Sequence, residues 1–238
     1  MLLMRVLTRN HVKLNYKQMS LKKIACSICL VLTFGLNSFA QTLSNKEKLI
    51  FDDVAYTVDS TGSARITKWV VPIRYQIKGE EIPQIRKEID TTLAQIKLLT
   101  GLDIKKVEND AEANFIIELG KGRPTKNLKA PTGGKFILFG HNTPTINDRS
   151  EIIRVENLFY NDHYPSKADS KYQLTRIILR SIGFFKESYE DPYSVFYART
   201  NNTIKIGKSD ARIVRALYHP RIKPGMLKLQ VDTILPID

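Results

Sequence analysis

The sequence predicts an α+β domain behind an N-terminal export segment. Three observations carry this expectation. Short alternating stretches and longer stripes of apolar residues alternate along one chain without internal repeats. The 238 residues are 42% hydrophobic and 26% charged, with 12 Gly and 10 Pro, which is a globular composition and excludes collagenous, coiled-coil and wholly disordered chains. A basic stretch, an apolar run and a small-residue site follow one another near the N-terminus.

Met19-Ser20-Leu21-Lys22-Lys23 is the basic stretch, Ile24 to Leu36 the apolar run, and Ser38 and Ala40 the small residues before Gln41. A bilayer span needs roughly 20 apolar residues, so the run reads as a cleavable signal and not as a stable membrane span. Residues 1–40 are therefore expected to be removed, with 1–18 read as a mis-called start and translation beginning at Met19. The expected location is periplasmic or secreted. The removed piece holds six basic and no acidic residues, so the formal charge falls from +13 to +7. Cys26 and Cys29 lie inside the apolar run and read as signal residues, not as a redox or zinc pair. The mature chain then has no cysteine, and its core alone must hold it together.

The elements follow in order. Residues 41–65 form a lead-in, where Ser44 and Glu47 make a capping box for a helix with Leu49, Ile50, Val54 and Ala55 on its apolar face. Thr61-Gly62-Ser63 is a turn, and the main domain is expected over 66–238. Ile73 to Ile77 alternates as a half-buried strand. A helix is expected from Ile82 to Thr100, with Pro83 in its first turn, a stripe of Ile85, Ile89, Leu93, Ile96 and Leu99, and Gly101 ending it. Strands are expected at Ile104–Val107, Asn114–Leu119, Lys135–Phe139 and Glu151–Val155, with a basic loop from Gly120 to Gly134. Leu174 to Ile182 is helical, a helix begins at Gly207 or Ser209, and Leu227, Leu229 and Val231 alternate as a final strand.

The helix Arg176-Ile177-Ile178-Leu179-Arg180-Ser181-Ile182-Gly183 resembles the zincin frame H-E-x-x-H-x-x-G-x-x-H. There, two histidines four apart reach one ion from one helix face, and the glutamate polarises water. Aligned on Gly183, the ligand positions are Arg176, Arg180 and Lys186, and the base position is Ile177. Ser194, Phe196 and Tyr197 resemble the metzincin Met-turn, with Phe196 in place of the methionine. The nearer match is the domain of unknown function 2927 family of secreted, bacterial, zincin-like proteins. The residues that carry it are Trp69 with Pro72-Ile73, Thr100-Gly101-Leu102, Ala113-Asn114, Ile182-Gly183-Phe184, Ser194-Val195-Phe196 and the closing run from Asp210 through Leu217-Tyr218-His219-Pro220-Arg221 to Pro224-Gly225-Met226. The resemblance covers most of 66–226. It implies a single zincin-like, metzincin-like domain, with a mixed sheet packed by helices and a degenerate metal site. That family usually keeps carboxylate and amide side chains on the helix, and this chain departs at Arg176, Ile177 and Arg180.

Arginine has no lone pair for a metal, so no metal and no cofactor are expected. The remaining histidines, His141, His163 and His219, lie on separate segments, and His219 sits at a helix end, where positive charge is favourable. Like charges four apart on a helix repel. Arg176, Arg180 and Lys186 therefore call either for a bound anion or for internal neutralisation by Glu187, Glu190 or Asp191. Export and a modest charge argue against nucleic acid, and Trp69 reads as core rather than as a sugar platform. The expected function is that of an exported, catalytically inactive pseudoenzyme, serving as a binding or structural protein of the cell envelope. Two other classes stand beside it. One is a hydrolase with relocated groups, drawn from Glu187, Asp191, His163 and Tyr197. The other is a peptide binder using the former substrate cleft beside an edge strand near Glu151–Val155.

Overall fold

The computed structural model describes residues 42–59, 61–120, 140–160, 167–199 and 203–237, with only the backbone of 140, 141 and 167–170. The signal segment, most of the basic loop, the expected strand Lys135–Phe139, and His163 lie outside the described residues. Thr42 to Asp238 belong to one compact α+β unit.

Helix α1 (Asn45–Val54) opens on the expected box: Ser44 Oγ accepts from Glu47 N, and Glu47 Oε2 accepts from Ser44 N. Its buried face is Ile50, Phe51 and Val54, while Leu49 points to solvent. The segment expected as a lead-in is thus part of the core. The hairpin β1 (Tyr56–Val58) and β2 (Ala64–Ile66) follows, then the short β3 (Lys68–Trp69) and the long β4 (Ile73–Gly79). Helix α2 (Pro83–Thr100) ends on Gly101 at φ 71°, a left-handed C-cap open to glycine without strain. Strands β5 (Ile104–Lys106), β6 (Phe115–Gly120), β7 (Gly140–Ile146) and β8 (Glu151–Tyr160) complete the sheet. Helices α3 (Lys167–Ser181), α4 (Lys208–Leu217) and α5 (Lys228–Asp232) follow.

The sheet runs β3-β8-β6-β4-β5, every neighbouring pair parallel, and β7 pairs with β8 antiparallel. Inward residues of β6 (Phe115, Ile117, Leu119) alternate with outward ones. On β8 the alternation skips between Ile152 and Val155, where the register against β7 shifts at Thr145/Ile146. An extra residue in one strand turns the side chains beyond it to the opposite face, and this bulge explains the break in period.

Two expectations are corrected. Glu151–Val155 is not an edge, because β8 pairs on both sides; the antiparallel neighbour is β7, which lacks a strand signature. Val155 N donates to Asn114 O, so Val155 turns its polar groups toward β6 and its opposite residue Pro144 turns its own outward. A proline there loses no ladder bond. Leu227, Leu229 and Val231 do not form a strand but flank or lie in α5, where Gln230 Oε1 accepts from Leu227 N. Only Val231 of the three is buried, and Leu229 is 80% exposed. Three apolar residues at spacing two are too short a pattern to separate strand from turn-and-helix.

Candidate functional site: a helix face closed by an internal carboxylate

Helix α3 stops because Gly183 takes φ 118°. Gly183 N donates to Arg180 O and Phe184 N to Leu179 O, the paired bonds of a Schellman cap. A Cβ at Gly183 would lie 2.5 Å from Thr67 O and 3.1 Å from Leu217 Cδ2, so the same glycine lets the helix end dock on the residue that joins β2 to β3. This geometry ends the helix and turns the chain at Gly183.

Arg176 and Arg180, one turn apart, both reach Oε1 of Glu187. The Arg176 side chain is only 9% exposed and stacks over the Tyr172 ring at 5.0 Å. Burial, then Arg176, pull the Arg180 guanidinium below its usual range, while Glu187 opposes them. Ile177 is in the core. Lys186 is exposed and has no ion pair among the described residues. The notch between Arg176, Arg180, Lys186, Phe184 and Phe196 measures about 10 Å³, room for about one water. Of the two ways to neutralise the cluster, the structure contains the internal one.

The turn behind the notch is pinned at several points. Ser194 Oγ donates to Asp210 Oδ1 at 2.6 Å, and Val195 N and Gly207 N donate to Asp210 Oδ2 at 3.3 and 3.0 Å. Burial raises the Asp210 carboxyl above its ordinary value, and the three donors oppose that shift. The Phe196 ring packs on Phe184 at 4.9 Å. The Tyr197 carbonyl accepts from Tyr172 at 2.7 Å, and its ring meets Tyr189 edge-on. Ser188 is held on both backbone sides, by Phe196 O and by Ala198 N, and its hydroxyl donates to Asp53 at 2.6 Å.

The other motif residues join the same framework. Trp69 is buried, as expected, and its Nε1 donates to Ser181 O at 2.7 Å. Tyr218 donates to Ile182 O and accepts from Trp69 N. Asn114 Oδ1 accepts from Arg74 N and its Nδ2 donates to Pro72 O, tying β6 to the start of β4. Gly225 N donates to Ile66 O and Ile66 N to Met226 O, so the closing run extends the β1–β2 hairpin. The buried bond from Trp69 Nε1 to Ser181 O satisfies a polar group that would otherwise cost about 1–3 kcal/mol.

Sequence reasoning missed Lys68. It is buried, no ion-pair partner lies near it among the described residues, and its Nζ donates to Leu217 O at 2.9 Å, with the Tyr218 ring at 5.1 Å. Burial and Lys223 push its ammonium down to about 8. The expectation for His219 is corrected by the same cluster. Burial, Arg221 and Lys68 lower its pKa, outweighing the helix end that would favour charge. The signal for Lys68, a lysine beside the motif tryptophan, is indistinguishable from a surface strand residue.

Of the relocated acid–base groups, His163 lies outside the described residues, and the two carboxylates have other partners. Glu187 is held by the arginines, and Asp191 pairs with Lys46 at 3.2 Å. Among the described residues, no three His, Cys, Asp or Glu side chains are grouped to hold a metal ion. No described helix is long and apolar enough to cross a membrane. No curated protein matches the chain. The model of the family described as Protein of unknown function (DUF2927) matches residues 48–237, a span running from the α1 face through the stitched motifs and past the closing run to α5 and beyond, and the chain belongs to that family.

Proposed function

We propose that the chain is an exported, non-catalytic zincin-like protein that acts as a binding or structural protein of the cell envelope. The observation that carries this reading is the fate of the helix face. Where a zincin places two histidines and a base, this chain has two arginines held on one carboxylate and an isoleucine in the core. A guanidinium donates hydrogen bonds and carries positive charge, so it repels a dication and takes no proton from water at neutral pH. The frame around that face, with its glycine-capped helix and pinned turn, is built from the residues by which the family is recognised, which supports a scaffold kept for shape. The N-terminal basic stretch and apolar run support export.

The test uses mature protein purified without a histidine tag. Elemental analysis, zinc titration and hydrolysis of labelled casein are measured together. The expected result is substoichiometric zinc and no hydrolysis above buffer. Stoichiometric, tight zinc or hydrolysis abolished by Glu187→Gln overturns the reading. N-terminal sequencing of envelope protein is expected to begin at Gln41; a retained Met19 makes the segment an anchor.

A further inference from the structure

We propose that Arg176 and Arg180 form a receptor for a single carboxylate group, which the chain fills with its own Glu187 until a carboxylate-bearing ligand displaces it. This rests on the non-catalytic reading above and names the ligand class of the same site.

The charges come first. Two guanidiniums meet one carboxylate oxygen, and the exposed Lys186 adds a third cation at the rim. The site therefore keeps net positive charge with its own acid in place. Arg176 is desolvated on the aromatic face of Tyr172, so it gains most from an anion within reach and loses most without one.

The geometry sets the size of the occupant. Ser188, the next residue, is fixed through its backbone to Phe196 and Ala198 and through its hydroxyl to Asp53. The Glu187 backbone is thereby anchored, whereas its side chain is 32% exposed and turns about its own bonds. Its carboxylate can leave for solvent without any loop opening. What it vacates is the space of one carboxylate, with a notch of about 10 Å³ beside it.

An external carboxylate competes with an intramolecular one, whose effective concentration is in the millimolar range or above. A ligand therefore needs a second contact. The same loop offers it: Tyr189 and Tyr193 are 69% and 83% exposed. Tyr193 N donates to Asp191 Oδ1 and its carbonyl accepts from Thr203, so the backbone that carries this ring is fixed, and the Tyr189 ring rests edge-on against Tyr197. Exposed tyrosines on the loop that also carries Glu187 suit a polypeptide whose carboxylate enters the notch while its neighbouring atoms cover the rings.

The experiment melts the mature chain in sodium formate against sodium chloride at equal ionic strength. In Glu187→Gln the melting temperature is expected to rise saturably with formate, with an apparent affinity at least about tenfold tighter than wild type, because the internal competitor is gone. The triple variant Arg176→Met, Arg180→Met, Glu187→Gln is expected to show no formate-specific rise. A Glu187→Gln response equal to that of chloride, or one retained in the triple variant, overturns the receptor. Should Glu187→Gln not fold, wild-type guanidinium resonances followed by NMR decide: shifts on formate and not on chloride support the site, and their absence removes it. A short tyrosine-flanked peptide is then compared as free acid, as C-terminal amide, and as amide with an internal aspartate. Binding by the free acid alone assigns a chain terminus, binding by the aspartate form an acidic side chain, and binding by none overturns the ligand class. The zinc and casein measurements are independent of these melts, so either reading can fail without the other.

Discussion

Ser194 Oγ lies 2.6 Å from the buried Asp210 carboxylate, and this bond joins the turn after α3 to the first turn of α4. Two motif pieces separated by 16 residues thus act as one structural unit. Asp210 also holds Val195 N and Gly207 N, so two of its three donors belong to the turn and the third to the N-cap of its own helix.

Asp210→Ala removes the acceptor for all three donors at once. Buried donors left without partners cost about 1–3 kcal/mol each before relaxation. The expected loss is about 3 kcal/mol or more in urea unfolding of the mature protein. Ser194→Ala, which removes one donor, is expected to cost about 1 kcal/mol.

Gly183→Ala tests the helix stop. The residue would keep φ 118° and drive a Cβ against Thr67 O at 2.5 Å. The expected cost is about 3 kcal/mol or more, from backbone strain together with a clash against a fixed carbonyl. Gly101→Ala is the control, because a Cβ there meets nothing within 4 Å, and it is expected to cost about 1 kcal/mol. Comparable losses at the two positions would show that Gly183 matters only for its dihedral.

Lys68 predicts that stability rises with pH on the alkaline side, where a lysine that gains a charged partner on folding would make it fall. Its folded pKa of about 8 lies below that of the unfolded lysine, so the unfolded chain binds more protons between pH 8 and about 10.5. Stability therefore rises with pH across that window. Lys68→Met is expected to be at least as stable as wild type at pH 7, and wild type should gain on it by about 2 kcal/mol between pH 7 and pH 10. Urea midpoints at the two pH values decide it; a constant gap removes the explanation.

His219 works at lower pH in the same cluster. Its folded pKa is depressed, so its contribution is present above about pH 6.5 and lost as pH falls through the folded value. His219→Gln is expected to flatten that part of the stability curve. Because Lys68 is one cause of the depression, NMR titration should show the His219 midpoint moving upward in Lys68→Met. An unchanged midpoint would separate the two residues.

Long periodic elements are legible in the amino-acid sequence alone. The α2 stripe from Ile85 to Leu99, the Ser44–Glu47 box and the glycine stops at 101 and 183 each follow a local rule that neighbouring residues suffice to state. Strand β7 is not legible in this way: Gly140–Ile146 is polar and carries Pro144, and it is a strand because β8 offers a ladder that a proline on the free side does not break. The final apolar alternation fails for the converse reason, a strand pattern with no strand beside it beyond the single bridge from Leu227 to Arg65.

At the site, the sequence by itself determined which charges exist and that Arg176 and Arg180 share one helix face, because a four-residue spacing on a helix leaves no other arrangement. It also narrowed the neutralising group to Glu187, Glu190, Asp191 or an outside anion. Only the tertiary structure chose among them. The Schellman cap at Gly183 folds the chain back, Ser188 is clamped between Phe196 and Ala198, and the residue preceding that clamp is the one whose carboxylate lands between the guanidiniums. Glu190 and Asp191 follow the clamp. Asp191 turns instead to Lys46 on α1, and Glu190 N caps onto Ser188. The burial of Lys68 was likewise decided in three dimensions, since a lysine's solvation depends on the helix end and the strand that close over it and not on its neighbours in sequence.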